Sequence, residues 1–387
     1  MSKTVFITQD IGVYGSSKSL QLTLKGLIDK EYLKKENIII IYPKAVKSSL
    51  NEKLKEMLRE SYFSEFGDSK SWVLPFSHII YGIHINKLEK TKSFIRILLF
   101  YMFWVFKYKK QLKKENIKLI YLNSITLWPM LLVLPKNVRI IMHIREILDL
   151  NNPISKVAKK LIIDNCTDLI AIDKKTALPF LKCNKKVFVL RNPFDMEEVK
   201  ELKINKYKFL CKKYKLDQNK VHISIIGSIQ EVKGQIFFCD IAQKNNNNDI
   251  FEFIIVGRGN GSYYNAIVDM ADKLKNLYYV SEIRNIEEIY AVTHIVIRCD
   301  SFFPLGRTVW EAYYSGCKVL LPYNINDDIS EIKDYLNKEI FLYKLRDVDS
   351  AISKLKEIVN YGFNVDNDLP TSNLEAYIKE VKDILKI

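Results

Sequence analysis

This chain predicts two consecutive parallel α/β sheets with helices on both faces, and three observations predict it. Its 387 residues, at about 150 per domain, give two to three domains. Short continuous apolar runs alternate with amphipathic stretches from end to end, the pattern of parallel strands covered on both sides. The break between the two halves falls after Arg191-Asn192-Pro193, in the charged stretch up to Asn219.

In the first half, Val5–Thr8, Ile38–Ile41, Leu119–Leu122, Arg139–His143, Leu169–Ile172 and Val187–Leu190 read as buried strands. In the second half, His222–Ile226, Phe251–Val256, Leu277–Val280, His294–Arg298 and Lys318–Leu321 do the same. The run Asn245–Asn248 reads as a solvated loop after a helix, and Asp327-Asp328 as solvated acids beyond the last strand. Asn373–Ile387 forms one amphipathic helix that could cap either domain. The economical layout is a domain over 1–200, a second over 201–370, and a helix over 371–387 able to pack back on the first. No solenoid period or long low-complexity tract appears.

Composition narrows the classes. Apolar residues make up 48% of the chain, enough for ordinary cores and unlike a disordered polymer. With 60 Lys+Arg against 45 Asp+Glu, the net charge is +15. That excess favours anionic partners: nucleic acid, acidic headgroups or phosphate-bearing substrates. No nucleic-acid module is present, so nucleic acid is not an expected partner. Cys166, Cys183, Cys211, Cys239, Cys299 and Cys317 form no C-x-x-C pair, which speaks against structural zinc or disulfides and fits a reducing compartment. The N-terminus lacks the apolar core of a signal peptide, and no apolar run reaches the roughly 18 residues of a spanning helix.

One stretch departs from the regular pattern. Between Lys87 and Lys118, ten Lys/Arg residues surround the block Ile97–Phe106, Ile-Leu-Leu-Phe-Tyr-Met-Phe-Trp-Val-Phe. Ten helical residues span about 15 Å, half the hydrocarbon core of a bilayer. Two readings stand. One is a helix buried in the first domain. The other is a helix in the membrane interface, with Trp104 and Tyr101 at headgroup depth and lysines on anionic phosphates.

The chemistry-bearing residues follow strands. The first loop, Thr8-Gln-Asp-Ile-Gly12-Val-Tyr-Gly15-Ser16, places glycines at a strand-to-helix junction, where backbone and helix amides can meet an anion. It is not the G-x-G-x-x-G fingerprint. His143, Arg145 and Glu146 stand at the carboxyl end of a parallel strand, where open α/β sheets place ligands, and of the five histidines His143 is the best placed. In the second half, Gly227-Ser228 leads to Lys233-Gly234 just ahead of a helix, offering a point charge and amides to a phosphate. Gly257-Arg258-Gly259 opens a glycine-rich turn after a strand. Finally, Ser301-Phe-Phe303-Pro304-Leu305-Gly306-Arg307-Thr308-Val-Trp310-Glu311-Ala312 leads from a strand through a turn into a helix. That helix start suits a diphosphate, and Glu311, just over one turn in, suits sugar hydroxyls.

This ordered series, ending in Gly316-Cys-Lys-Val, resembles glycosyltransferase family 4, the retaining enzymes of the GT-B fold. The resemblance runs from the loop near Gly15 to the strand after Gly316. It implies two Rossmann-like parallel-sheet domains facing a central cleft, with the acceptor side in 1–200 and the nucleotide sugar in 201–370. His143 falls where such enzymes carry an active-site histidine, and Arg191-Asn192-Pro193-Phe194-Asp195 is similar to their linker segment. It also implies His143, Lys233 and Glu311 as catalytic residues. Gly15, Ser16, Gly227, Ser228, Gly257, Arg258, Gly259, Leu305, Gly306, Arg307 and Thr308 would bind the donor. No metal and no cofactor are expected, the substrate being a nucleotide-diphosphate sugar, UDP-linked by expectation.

Two departures stand out. The family's Glu-x7-Glu pair would begin at position 303, where this chain has Phe303, and its arginine after Gly227 is replaced by Ser228. Arg258, Arg298 and Arg307 are the candidate substitutes for that charge. The expected activity is sugar transfer to a lipid-linked or cell-surface glycan acceptor. The expected place is the cytoplasm, peripheral on the inner face of the plasma membrane through 87–118. The rival readings are an inactive GT-B scaffold subunit and a nucleotide-sugar epimerase.

Overall fold

The computed structural model describes residues 2–9, 15–44, 63–75, 87–247, 249–281, 285–300, 305–363 and 370–387. Gly12, Ser301, Phe303 and Pro304, singled out above, lie outside them. The chain divides into two compact units, Met1–Pro193 with Leu374–Ile387, and Phe194–Asn373. The boundary falls ahead of residue 200 because the helix Glu197–Lys213 buries Val199, Leu202, Leu210 and Cys211 in the second unit's core.

The first unit is built on a seven-stranded parallel sheet in the order β3-β2-β1-β4-β5-β6-β7. Its strands are β1 (Lys3–Ile7), β2 (Ile38–Pro43), β3 (Asp68–Trp72), β4 (Ile117–Leu122), β5 (Arg139–Ile144), β6 (Asp168–Ala171) and β7 (Lys186–Val189). Alternate residues feed opposite cores: Val5 and Ile7 of β1 join one cluster, and Phe6 joins the other. A strand buried on both faces needs apolar residues at every position, which is why these strands read as unbroken runs.

The second cluster is completed from the far end of the chain. The helix Leu374–Leu385 contributes Tyr377, Ile378 and Val381, packing on the helix Gly15–Asp29. Gly26 permits the approach: a Cβ there would lie 2.5 Å from Ile378 Cγ1. Arg139 secures the helix end by donating to the Leu385 carbonyl at 2.7 Å and the Ile384 carbonyl at 2.6 Å.

The second unit holds a six-stranded parallel sheet, β10-β9-β8-β11-β12-β13. The strands are β8 (Val221–Ile226), β9 (Phe251–Val256), β10 (Leu277–Val280), β11 (Ile295–Ile297), β12 (Lys318–Tyr323) and β13 (Ile340–Lys344). Ile254 and Val256 of β9 face one core, Phe251, Phe253 and Ile255 the other. The segments entering and leaving this unit are fastened to each other. Asp195 bridges Ser372, Met196 N donates to the Thr371 carbonyl at 3.0 Å, and Phe194 N donates to Asn373 Oδ1 at 2.7 Å.

Three local outcomes depart from the sequence reading. Asn245 is buried rather than solvated, its Nδ2 donating to the Ile241 carbonyl at 2.9 Å at the end of the helix Gln235–Lys244. Asp327 and Asp328 precede a further strand, β13. The block Ile97–Phe106 is neither wholly buried nor wholly exposed: Phe100 has no accessible surface, whereas Phe103 and Phe106 are 65% and 79% exposed.

Candidate functional site

In the second sheet the strand order reverses between β8 and β11, the switch point where loops part and a ligand can enter. Gly227 follows β8 and Gly257 follows β9. A Cβ on Gly257 would lie 1.8 Å from the Gly227 carbonyl oxygen, so the two loops run backbone against backbone and only glycine fits there. Ile229 N fixes the pairing by donating to the Arg258 carbonyl at 2.7 Å. A Cβ on Gly259 would likewise meet Ile229 Cβ at 2.7 Å.

The first loop then makes a tight turn, Glu231–Lys233, closed by Gly234 in the left-handed region at φ 72°. A Cβ on Gly234 would lie 2.5 Å from the Cys299 carbonyl oxygen. The turn is thus pressed onto the end of β11, bringing Lys233 to Asp300. Lys233 Nζ lies 3.0 Å from Asp300 Oδ2, and Arg298 Nε donates to Asp300 Oδ1 at 2.7 Å. Burial pushes the Asp300 carboxyl up, but Arg298 and Lys233 outweigh it and hold it below the usual carboxylate range. The Lys233 side chain remains 44% exposed. Ser228 is exposed, and its carbonyl accepts from Gln235 Nε2 at 2.9 Å.

Beyond β11, Gly306 caps the helix Arg307–Tyr314, with Arg307 and Thr308 half-buried in its first turn. Leu305 is in the core, so a ligand there meets only its backbone. Glu311 is 7% exposed. One of its oxygens accepts from Arg307 Nε at 3.1 Å and the other from the Tyr290 hydroxyl at 3.0 Å. Arg307 also lies over the Phe194 ring, 4.6 Å from its centroid. Burial, reinforced by Glu311, raises Tyr290 well above its ordinary value, so it stays a donor. Of the three arginines offered for the missing charge, Arg298 and Arg307 are already in ion pairs, and Arg258 is exposed.

In the first sheet the order reverses between β1 and β4. Gly15, at φ 62° with open space where a Cβ would stand, begins the helix Gly15–Asp29. Ser16 Oγ accepts from Gln9 Nε2 at 3.0 Å. Asn123, just after β4, donates to Thr8 Oγ1 at the end of β1 and to the Ser16 carbonyl at the start of the helix, both at 3.2 Å. Arg145 braces the neighbouring strand ends: it donates to Asn123 Oδ1 at 2.9 Å and to Asn192 Oδ1. Glu146 accepts from Ser124 Oγ at 2.7 Å and from Ile125 N at 3.2 Å, so it anchors the turn Ile125–Leu132. Arg145 and Glu146 are therefore architectural here.

His143 has no accessible surface. Its Nδ1 is bonded by the Tyr121 hydroxyl and lies 3.1 Å from Arg145 Nη2. Arginine only donates, so Nδ1 accepts and the ring proton sits on Nε2. Burial, then Arg145, holds this histidine well below its ordinary pKa, and it is neutral. Nε2 has no hydrogen-bond partner, and an unpaired buried donor of this kind costs about 1–3 kcal/mol.

Sequence reasoning passed over Asp300, Asn123 and Tyr290. Asp300 adjoined a quoted motif, but nothing in its spacing marks it as the partner of Lys233. Asn123 and Tyr290 gave no signal, since their roles exist only in the folded chain. Among the described residues no cluster of three His, Cys, Asp or Glu side chains suits a metal ion.

No family model and no curated protein matches the chain in sequence. Solved structures match it in fold. Anabaena Alr3699/HepE in complex with UDP and glucose has a TM-score of 0.68 at 14% identity, with all of both chains covered. A glycosyltransferase from Rickettsia africae has a TM-score of 0.66 at 16% identity over 99% of this chain and 94% of its own. The UDP-GlcNAc 2-epimerase of Neisseria meningitidis, bound to UDP-GlcNAc, reaches 0.58 at 13% identity over both full chains. The two parallel-sheet α/β units thus have the GT-B fold of glycosyltransferases.

Proposed function

We propose that the protein is a retaining, metal-independent glycosyltransferase of family 4 type, moving a sugar from a UDP-linked donor to a lipid-linked or cell-surface glycan acceptor at the cytoplasmic membrane face. The observation that carries this reading is the Lys233 turn, pressed by Gly234 onto the end of β11 beside the Gly227–Gly257 backbone contact. Glycine backbones admit a nucleotide closely. Lys233 and the helix start at Gly306–Thr308 then stabilise the charge that develops on the departing diphosphate.

In the proposed step the anomeric C–O bond to the diphosphate breaks while the acceptor oxygen bonds the same carbon on the same face. The acceptor proton leaves on the diphosphate. Glu311, held by Arg307 and Tyr290, accepts from the ribose hydroxyls. His143 is sealed from solvent here, so the site must open for its unpaired Nε2–H to donate to a sugar or acceptor oxygen. Gly15 and Ser16 offer amides to the phosphates or the acceptor.

A panel of UDP-, GDP- and dTDP-sugars, with nucleotide release followed in detergent, tests the proposal. Release from one donor that is lost in Lys233→Ala and Glu311→Ala supports it. Nucleotide binding without turnover on any donor or acceptor points instead to a binding subunit. Sugar isomerisation without an acceptor points to the epimerase reading, which the Neisseria fold match keeps in view.

A further inference from the structure

The helix Lys87–Phe103 and the helix Val105–Lys114, joined at Trp104, carry a second surface within the first unit. Phe94, Ile95, Leu98, Leu99, Met102 and Phe103 are each 45–65% exposed, and Phe106 is 79% exposed. At 3.6 residues per turn, the first six positions occupy about half the circumference of the helix. The opposite side is already engaged. Phe100 is fully buried, and the Tyr101 hydroxyl donates to the Pro129 carbonyl at 2.5 Å. Tyr108 stacks on Trp72 with ring centroids 4.0 Å apart, and its hydroxyl accepts from Val73 N at 2.9 Å. The exposed face is therefore not waiting to pack inward.

With large apolar side chains presenting roughly 150–250 Å² each, the patch is on the order of 700 Å², beyond what a monomeric soluble surface ordinarily shows. No described helix is long and apolar enough to cross a membrane. Charge selects among the remaining occupants. Lys107 stands over the Trp104 ring at 5.0 Å, and Lys109, Lys110, Lys113 and Lys114 are exposed along the second helix. A second copy seated on this face would bring like charges together. An anionic lipid surface would pair them.

We propose that this elbow is a membrane anchor: Phe94, Leu98, Met102, Phe103 and Phe106 insert among the acyl chains of one leaflet while the lysines of the second helix hold anionic headgroup phosphates. The proposal deepens the membrane-face part of the function given above and rests on that part alone. Its evidence is independent of the donor site.

The test is flotation of the full-length protein with phosphatidylcholine vesicles, with and without phosphatidylglycerol. Three proteins are compared: the natural chain, the triple variant Leu98→Ser, Met102→Ser, Phe106→Ser, and the quadruple variant Lys109→Gln, Lys110→Gln, Lys113→Gln, Lys114→Gln. The natural chain should float with the anionic vesicles. The serine variant should lose binding by more than about 100-fold and the glutamine variant, on anionic vesicles, by several hundred-fold up to about 1,000-fold, both with unchanged thermal unfolding. In a Phe103→Trp reporter, emission should shift to the blue on vesicle addition. Three results overturn the proposal: no flotation, flotation unaffected by the serine variant, or a concentration-dependent dimer that the serine variant dissolves. UDP protection against thermal unfolding, measured alongside, keeps failure of the donor site distinguishable from failure of the anchor.

Discussion

Lys233, the proposed phosphate ligand, is paired with a carboxylate. Asp300, gripped on its other side by Arg298, fixes the ammonium at the end of β11. Asp300→Asn should therefore weaken UDP binding about 10-fold, a loss of ~1.4 kcal/mol, with the fold intact. Titration calorimetry reads this, and an unchanged Kd would remove Asp300 from the site. The lysine-glycine turn ahead of a helix was legible in the sequence, because a glycine between a strand and a helix marks a turn. The lysine's partner was not, because that pairing is created by Gly234 meeting Cys299 across the sheet. A second residue-scale consequence concerns acid. His294 is held at a pKa of about 3, by burial first and by His222 and Lys203 after it. The unfolded chain binds a proton there near pH 6.5 and the folded chain does not, so stability is lost as pH falls below that value. His294 alone contributes ~1.4 kcal/mol per pH unit between about 6 and 3. Urea unfolding across this range should show it, and His294→Gln should lower the slope by that amount, leaving the share of the equally neutral His143.

At the scale of elements, the sequence reading found most of the strands that carry apolar runs, the edge strands β7 and β10 included, and missed β3 and β13. β3, Asp-Ser-Lys-Ser-Trp, is an edge strand paired only with β2. Its backbone is satisfied on one side, so its side chains need not be apolar and nothing in its composition announces a strand. β13 does carry an apolar run, Ile-Phe-Leu-Tyr, but it follows the acidic Asp327-Asp328 turn, which resembles the end of a sheet. The contact of Gly26 with Ile378 was equally hidden, since a glycine within a helix gives no hint of what approaches it. Gly26→Ala should destabilise the chain by about 1–3 kcal/mol through overpacking. Ile378→Ala alone should cost about 2–5 kcal/mol. Because the two share one space, the double variant should lose clearly less than the total of the singles. Additive losses in urea unfolding would show that the helices do not meet there.

Across the whole molecule, the chain leaves the first unit at Pro193 and returns to it at Leu374. Deleting residues 374–387 should strip Tyr377, Ile378 and Val381 from the first unit's core and leave the second unit's cores untouched. Differential scanning calorimetry should then show one transition moved sharply down and one nearly unchanged. A single transition moved as a whole would mean that the units melt together. The same connectivity sets an order of events during synthesis. The second unit is one uninterrupted stretch of chain, complete once its last strand and helix leave the ribosome. The first unit, begun earlier, remains unfinished until the helix Leu374–Leu385 has been made. Its apolar groove along the helix Gly15–Asp29 stays open until Tyr377, Ile378 and Val381 arrive to fill it, so the core begun first is the one closed last.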